Sequence, residues 1–398
     1  MAPLTLFRDR ATLLGAAGFG IFAGYAASLA QMLRAGHWIV DAGGQPLIVD
    51  FLAPYTAGRM ALQGQALAAY DPRLHHAAEA ALVGHDFAGG LAWPYPPHFF
   101  FVAAPLALLP YTAAFLVWTV GTLALYAVTA GAIARHRGAA LLALAPPFVL
   151  GGAIAGQNGF FTAALLGAAL LSLERRPILS GMLLGVLTVK PQFGILVPFA
   201  LAAGGQWRAF AAAAASGAAL LLLAGAAFGF ATLPAFLQAL PATTANLLVH
   251  GDVGWNKIQS AFGAVRWLGG SGALAAIAQA LASVACIGFV VALWRAAASP
   301  ALKAAGLAAA VLLATPYVFV YDFAFLTVAL AFLHRDRPLD RIETAAALVA
   351  LVPLIAFAVS PTPVALVSPL IVAALAARRA VRPGLTARAE SRLAASPL

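Results

Sequence analysis

Apolar stretches of roughly 17 to 25 residues, divided by short basic connections, recur along this chain from Thr12 to its C-terminal region. That length matches the hydrocarbon core of a bilayer, where only helices or closed barrels satisfy every backbone N–H and C=O. Barrel strands alternate in polarity over shorter runs, so the spanning elements are helices. Of the 398 residues, 63% are hydrophobic and 9% charged, against about 45–50% and about 25% in soluble domains. A water-soluble globular fold is excluded, and the fold class is an all-α polytopic membrane protein.

The formal charge of +10 does not point to nucleic acid. The cations sit in small groups between apolar segments, with no aromatic-rich basic domain behind them. They read as topology signals: Arg8/Arg10, Arg135/Arg137, Arg175/Arg176, Arg208, Arg295/Lys303, Arg335/Arg337/Arg341 and Arg378/Arg379/Arg382 all belong inside by the positive-inside rule. Spans that keep them there fall near 12–33, 112–134, 139–155, 158–174, 207–229, 273–295, 300–317, 318–334, 341–359 and 362–378. The first could pass for a signal peptide, but it opens a multispanning chain and reads as an uncleaved first helix. Cys286, the single cysteine, lies in an apolar run, so no intrachain disulfide is possible.

Two segments resist the scheme. His98 to Leu109 is apolar but short for a crossing: it is a short or re-entrant piece, or Arg135/Arg137 lie outside. Ile178 to Gly204 is about two half-spans joined at Lys190-Pro191-Gln192, which fits a broken helix pair. The expected total is roughly 10 to 13 helices in one integral membrane domain, 1–398. Long external loops fall at about 34–97 and about 233–270, and a basic, disordered tail at about 379–398 is drawn to the inner membrane surface. Gly20-x-x-x-Gly24 and Gly181-x-x-x-Gly185 read as close helix packing.

The first external loop holds Asp41, Asp50, Asp71, Glu79 and Asp86, five of the 13 acids. Phe51 to Tyr70 and Pro72 to Leu82 carry apolar residues at helical spacing and predict amphipathic helices on the membrane surface. Asp50 stands between Leu47-Ile48-Val49 and Phe51-Leu52. Two readings compete there. A partly desolvated carboxylate holds its proton more tightly, the direction a general base needs; an Asp before an apolar-periodic run is also an ordinary helix cap.

Four polar constellations interrupt the apolar sequence: Trp93-Pro94-Tyr95-Pro96-Pro97, Gly156-Gln157-Asn158-Gly159, Lys190-Pro191-Gln192, and Thr315-Pro316-Tyr317 with Tyr321-Asp322. All fall toward the external side of the topology. Polar groups at membrane depth are costly and mark cavities or function. An ammonium at Lys190 needs an anion, either a lipid phosphate or a structural counter-ion such as Asp322. Trp255-Asn256-Lys257 with Gln259-Ser260 suits sugar or phosphate, or any interfacial loop. His75-His76, His85 and His250 lack metal-ligand spacing and read as solvated. No Asp-x-Asp pair, Walker A, dinucleotide fingerprint or His-Glu-x-x-His occurs, which argues against a soluble nucleotide-sugar site with a carboxylate-held metal; no metal and no cofactor are expected.

Taken in order, Asp50, Tyr55-x-x-Gly-Arg59 through Tyr70-Asp71, Tyr95-Pro96-Pro97 with Pro105 and Leu109-Pro110, Gly156-Gln157-Asn158, Lys190-Pro191-Gln192, Gln259-Ser260 and Thr315-Pro316-Tyr317 with Tyr321-Asp322 resemble glycosyltransferase family 87. The resemblance spans about residues 45–335. It implies a GT-C fold with the active site at the outer face, roofed by the first external loop. It further implies an inverting transferase that takes a sugar from a polyprenyl-phosphate donor, with Asp50 matching the loop acid such enzymes use as base. Mannosyltransferases of that family tend to carry a Trp/His-rich motif where this chain has Tyr317 to Asp322.

The chemistry is coherent in its own right. A lipid phosphate leaves without protonation, so one base and cations on the phosphate suffice, unlike the two carboxylates of glycosidases. Asp50 as base with Lys190 and Arg59 on the phosphate meets that minimum. Tyr55, Tyr95, Gln157, Asn158, Gln192, Lys257, Gln259, Tyr321 and Asp322 are the candidate substrate contacts. The expected function is transfer of a hexose, mannose first, to a lipid or glycan acceptor at the periplasmic face of a bacterial inner membrane; nucleic acid is not an expected partner. The rival is a transporter or flippase for a lipid-linked sugar. It too needs a cavity with Lys190 and Asp322, but the inverted repeat common in transporters is not visible.

Overall fold

A computed structural model describes residues 10–89 and 91–394; Arg8 and the last four residues lie outside the described residues. The chain is helical throughout, and two isolated bridges among Trp38, Val40 and Pro46 are the only β-type pairings among the described residues. Six of the described helices are long and apolar enough to cross a membrane: Leu13–Arg34, Tyr111–Ala134, Trp207–Phe228, Gly272–Arg295, Arg341–Val359 and Pro363–Val381. A seventh arises if Pro147–Ala155 and Gly159–Ser172, bent by 119°, form one broken span.

The expected 10 to 13 helices are thus these six, the bent pair and four apolar helices shorter than a full span, Pro97–Leu106, Pro177–Leu187, Pro191–Ala203 and Pro300–Val311. The reason is proline. Each short helix opens on one, and a residue without an N–H starts a helix well but cannot continue one. The expected 139–155 span is cut at Pro146-Pro147 into Arg137–Leu142 and Pro147–Ala155. The 300–317 span stops at Val311, and the next helix, Ala324–Asp336, follows a single 3-10 turn.

Side-chain contacts set the relative directions of the first helix, the Arg137–Ala155 stretch and Tyr111–Ala134. An added Cβ at Gly15 would lie 2.8 Å from Gly138 Cα. Tyr25 donates to Ala145 O at 2.9 Å, and Trp38 Nε1 to Ile154 O at 3.2 Å. The Arg137–Ala155 stretch therefore runs alongside the first helix in the same sense. Tyr111 begins its helix against Phe51 and Tyr55, with ring centroids 5.7 and 5.0 Å apart. That helix ends at Arg135, near the N-terminal end of the first. His98 to Leu109 does not cross: Gly58 packs against the Ala103 carbonyl, and the Tyr55 hydroxyl donates to Leu109 O at 2.9 Å. That piece thus stays in the layer of Phe51 and Tyr55, and Arg135 lines one cavity with Arg175 and Arg335.

Two apolar cores result. One fills the bundle around Tyr126, Phe160, Phe193, Phe323 and Phe325. The other, around Phe51, Tyr55, Trp93, Phe99, Phe100, Phe115 and Trp118, forms a separate layer at the end that carries Asp50. In that layer the expected 51–70 helix is two pieces, Leu52–Leu62 and the 3-10 segment Ala66–Tyr70, parted at Gly64, whose φ of 75° is unfavourable for other residues. Asp71 caps Pro72–Val83, accepting from the N–H groups of Arg73 and Leu74 at 2.9 and 3.1 Å.

Gly181 and Gly185 do face a neighbouring helix. A Cβ at Gly181 would sit 2.5 Å from Ala209 O, and one at Gly185 would collide with the Ser216 hydroxyl. Gly20 and Gly24 meet nothing within 4 Å, so close packing by that pair within the chain is not found. The expected second loop, 233–270, is largely ordered as the helices Thr232–Thr244 and Ala261–Trp267. The tail expected to be disordered from Arg378 continues instead as helix to Ala394.

Candidate active site

Asp50 precedes the Leu52–Leu62 helix, whose N-cap position is taken by Phe51 without a side-chain bond, so Asp50 is not the cap. The Phe51 N–H donates to Ala155 O at 3.0 Å, which sews the loop to the end of the Pro147–Ala155 helix. Gly156 follows with φ 64°, and a Cβ there would lie 2.7 Å from Phe51 Cβ and 2.9 Å from the Phe115 ring. Only glycine permits both the turn and the approach. The result sets Gln157 opposite Asp50, with Nε2 donating to Asp50 Oδ2 at 2.6 Å. The Asp50 side chain is exposed, not desolvated as the sequence suggested.

The next residue extends the site. Buried Asn158 donates from Nδ2 to the Tyr95 hydroxyl at 3.0 Å, and Tyr95 O accepts from the Tyr70 hydroxyl at 2.9 Å. Burial, then the charge of Asp50, holds the Tyr95 proton on above the ordinary phenol range. With Asn158 donating to its oxygen, the Tyr95 hydroxyl keeps its own proton to give. Gly159 then starts its helix directly against the Tyr321 carbonyl, where any Cβ would overlap.

Tyr321 leads to the buried ion pair. Lys190 Nζ donates to Asp322 Oδ1 at 3.0 Å and lies 5.2 Å from the Tyr321 ring centre and 5.4 Å from that of Phe193. Asp322 Oδ2 accepts from the Phe319 N–H at 3.0 Å, so both oxygens are engaged. The structural counter-ion reading of Lys190 is what the geometry displays. Four separate stretches thus meet at one end of the bundle, each at a non-helical joint that carries a proline or glycine.

The sequence between residues 93 and 316, more than half of the chain, matches the family model for glycosyltransferase family 87. The chain belongs to that family. No match was found among curated proteins or among solved structures. Membership in a glycosyltransferase family makes the protein a membrane enzyme that transfers sugar. The matched stretch takes in Tyr95, Gln157, Asn158, Lys190 and Gln192, while Asp50, Tyr321 and Asp322 lie outside it.

Other residues singled out in this family 87 chain are placed elsewhere or differently. Tyr55 is buried with its hydroxyl spent on Leu109 O, a packing role. Gln259 is wholly buried, out of reach of a substrate: Nε2 donates to Asn256 O at 3.0 Å and Oε1 accepts from the Ala365 N–H at 3.1 Å. Arg59 and Lys257 are exposed, with no contact to Asp50 or Lys190 among the described residues. Gln192 is half-buried beside Lys190. His75, read as solvated, is buried with Nε2 3.3 Å from the buried Glu79 Oε1. His85 and His250 are exposed.

Sequence reasoning missed Trp118 and Trp38. Their indole N–H groups donate to Gly156 O at 3.0 Å and Ile154 O at 3.2 Å, fixing the carbonyls just before Gln157. The available signal was a tryptophan in or next to an apolar helix, which needs a partner for its N–H when buried.

Proposed function

We propose that this enzyme moves a hexose, mannose first, from a polyprenyl-phosphate donor to a lipid or glycan acceptor, on a GT-C fold at the extracytoplasmic face of a bacterial inner membrane. The observation that carries the reading is Asp50. One carboxylate oxygen is held by Gln157 while the side chain remains exposed, at the end of the bundle where the polar break points collect. Asp50 takes the proton of the acceptor hydroxyl as its oxygen attacks the anomeric carbon. The bond from that carbon to the phosphate oxygen breaks with its electron pair on the phosphate, and the configuration inverts. Lys190 spends one of three N–H donors on Asp322, which leaves donors for a phosphate oxygen. Tyr95, Asn158, Gln192 and Tyr321 supply polar and aromatic surface for the sugar. Exposed Arg59 is a second, more remote phosphate partner, and the reading uses no cofactor.

The test is a radiolabel transfer assay on purified protein with a panel of polyprenyl-phosphate sugars and total membrane lipid as acceptor, comparing wild type with Asp50→Asn. A labelled product from wild type alone names the donor, with Asp50→Asn lower by about 10²-fold or more. Retained turnover in the variant removes Asp50 from the mechanism, and a product from nucleotide sugars only removes the lipid-phosphate donor.

A further inference from the structure

Three helices start at the candidate active site and end together at the far side of the bundle. Tyr111–Ala134 begins against Phe51 and is followed by Arg135; at 24 residues it covers about 36 Å, roughly a bilayer core. Gly159–Ser172 begins after Asn158 and leads to Glu174 and Arg175. Ala324–Asp336 begins after Asp322 and carries Arg335 in its last turn. Their ends surround a cavity of about 580 Å³ lined by Arg135, Arg175 and Arg335, with Leu170, Leu171 and Phe332 on its apolar wall.

The charges there are unbalanced. Asp336 also lines the cavity, but its carboxylate accepts from Arg379 Nη1 at 3.2 Å and from the Ser299 hydroxyl. Glu174 accepts from Gln206 Nε2 at 3.3 Å. Arg335 uses Nη1 on Ala132 O and Ile133 O at 3.3 and 2.9 Å, which leaves Nε and Nη2. Arg135 and Arg175 line the same cavity, and neither has an ion-pair or hydrogen-bond partner for its side chain among the described residues. Arg135 is moreover held at φ 57°, a helix-end position whose ordinary occupant is glycine. Three converging guanidiniums with one exposed carboxylate among them form a site for an anion, and planar forks of this kind suit phosphate. The apolar wall distinguishes a lipid from a free ion.

We propose that this cavity binds the phosphate of an anionic phospholipid, with Arg135, Arg175 and Arg335 on the phosphate and Leu170, Leu171 and Phe332 on the glycerol and first methylenes. Basic pockets between membrane helices recognise lipid headgroups by this combination. The site lies at the other end of the 14-residue Gly159–Ser172 helix from Asn158, about 21 Å along its axis, and does not depend on the transfer chemistry.

The experiment is native mass spectrometry of the full chain in detergent, titrated with phosphatidylglycerol, with phosphatidylcholine of the same acyl chains, and with inorganic phosphate. Wild type is compared with the double variants Arg135→Gln/Arg175→Gln and Arg135→Lys/Arg175→Lys. The expected result is at least tenfold tighter binding of phosphatidylglycerol than of phosphatidylcholine, lost in the glutamine pair and largely kept in the lysine pair. Saturable phosphate binding without a phosphatidylglycerol preference assigns the site to a free anion and overturns the lipid. Equal affinity for both lipids with no phosphate binding overturns the site. Both arginines are exposed and unpaired, so neither substitution removes a folding contact, and the wild-type titrations stand alone if a variant does not fold.

Discussion

Gln157 and Asp50, 107 positions apart, are joined by a hydrogen bond of 2.6 Å from the amide Nε2 to the carboxylate Oδ2. The bond fixes which oxygen is occupied and which is free, so Gln157 is a positioning residue for Asp50. Gln157→Ala is expected to lower kcat about 10–100-fold with a smaller change in KM, since misplacing a reacting group costs rate more than binding. Gln157→Glu sets two carboxylates together and is expected to be worse than alanine. Steady-state kinetics with the donor named by the transfer assay measures both; equal kcat in all three proteins removes the positioning role.

The Lys190–Asp322 pair separates stability from chemistry. Both side chains are buried, so Lys190→Met leaves Asp322 without its counter-ion and is expected to cost about 3–5 kcal/mol, read as a lower Tm in detergent. Lys190→Met/Asp322→Asn removes both charges while keeping an oxygen for the Phe319 N–H, and most of the loss should return. If Lys190 also donates to a phosphate oxygen, the double variant stays inactive despite its stability. Full activity there would confine Lys190 to a structural role.

The long helices were legible because apolar sequence without interruption has one reading. Tyr111–Ala134, Trp207–Phe228 and Gly272–Arg295 fall within a residue or so of their expected bounds. The bounds that fail lie in stretches such as 300–317, where apolar composition continues past Val311 although the helix does not. Hydropathy reports burial, and it is blind to a chain that leaves the helix while staying in the core. Within the site, polar interruptions mark Asp50, Gln157, Lys190 and Asp322, and the scarcity of carboxylates at membrane depth already offers Asp322 as a counter-ion for Lys190 across 132 positions, whereas the Gln157–Asp50 bond, across 107, has no such signal. Tyr55 and Gln259 were read as substrate contacts for the same polarity. Their polar atoms are taken by backbone groups at Leu109, Asn256 and Ala365, which no local pattern announces.

Gly159 tests how closely the two halves of the site must approach. An added Cβ would overlap the Tyr321 carbonyl, a backbone atom that cannot rotate away. Gly159→Ala is therefore expected to destabilise by about 1–3 kcal/mol through forced separation. It should also lower transfer by moving Asn158 relative to Tyr321. Gly151→Ala, where a Cβ meets nothing within 4 Å, is the matched control and should leave Tm within a degree or two. Similar Tm for both variants would show that the helix start gives way without cost.

At the opposite end, Arg379 ties the last helix to the bundle. Nε and Nη2 donate to Glu343 at 3.0 and 2.8 Å, and Nη1 to Asp336 at 3.2 Å and to Leu333 O, all from a buried guanidinium. Arg337 also reaches Glu343, at 2.8 Å, so removing Arg379 leaves that carboxylate partly compensated. Arg379→Leu is expected to cost about 3 kcal/mol, the low end for a broken buried pair. Arg379→Lys should recover only part of it, because a single ammonium cannot reproduce the fork that spans Glu343, Asp336 and the Leu333 carbonyl. Hydrogen exchange of the Val367–Ala394 helix is the measurement, with faster exchange expected in the order wild type, lysine, leucine. Unchanged exchange in Arg379→Leu would mean that apolar packing, and not this network, holds the helix in place.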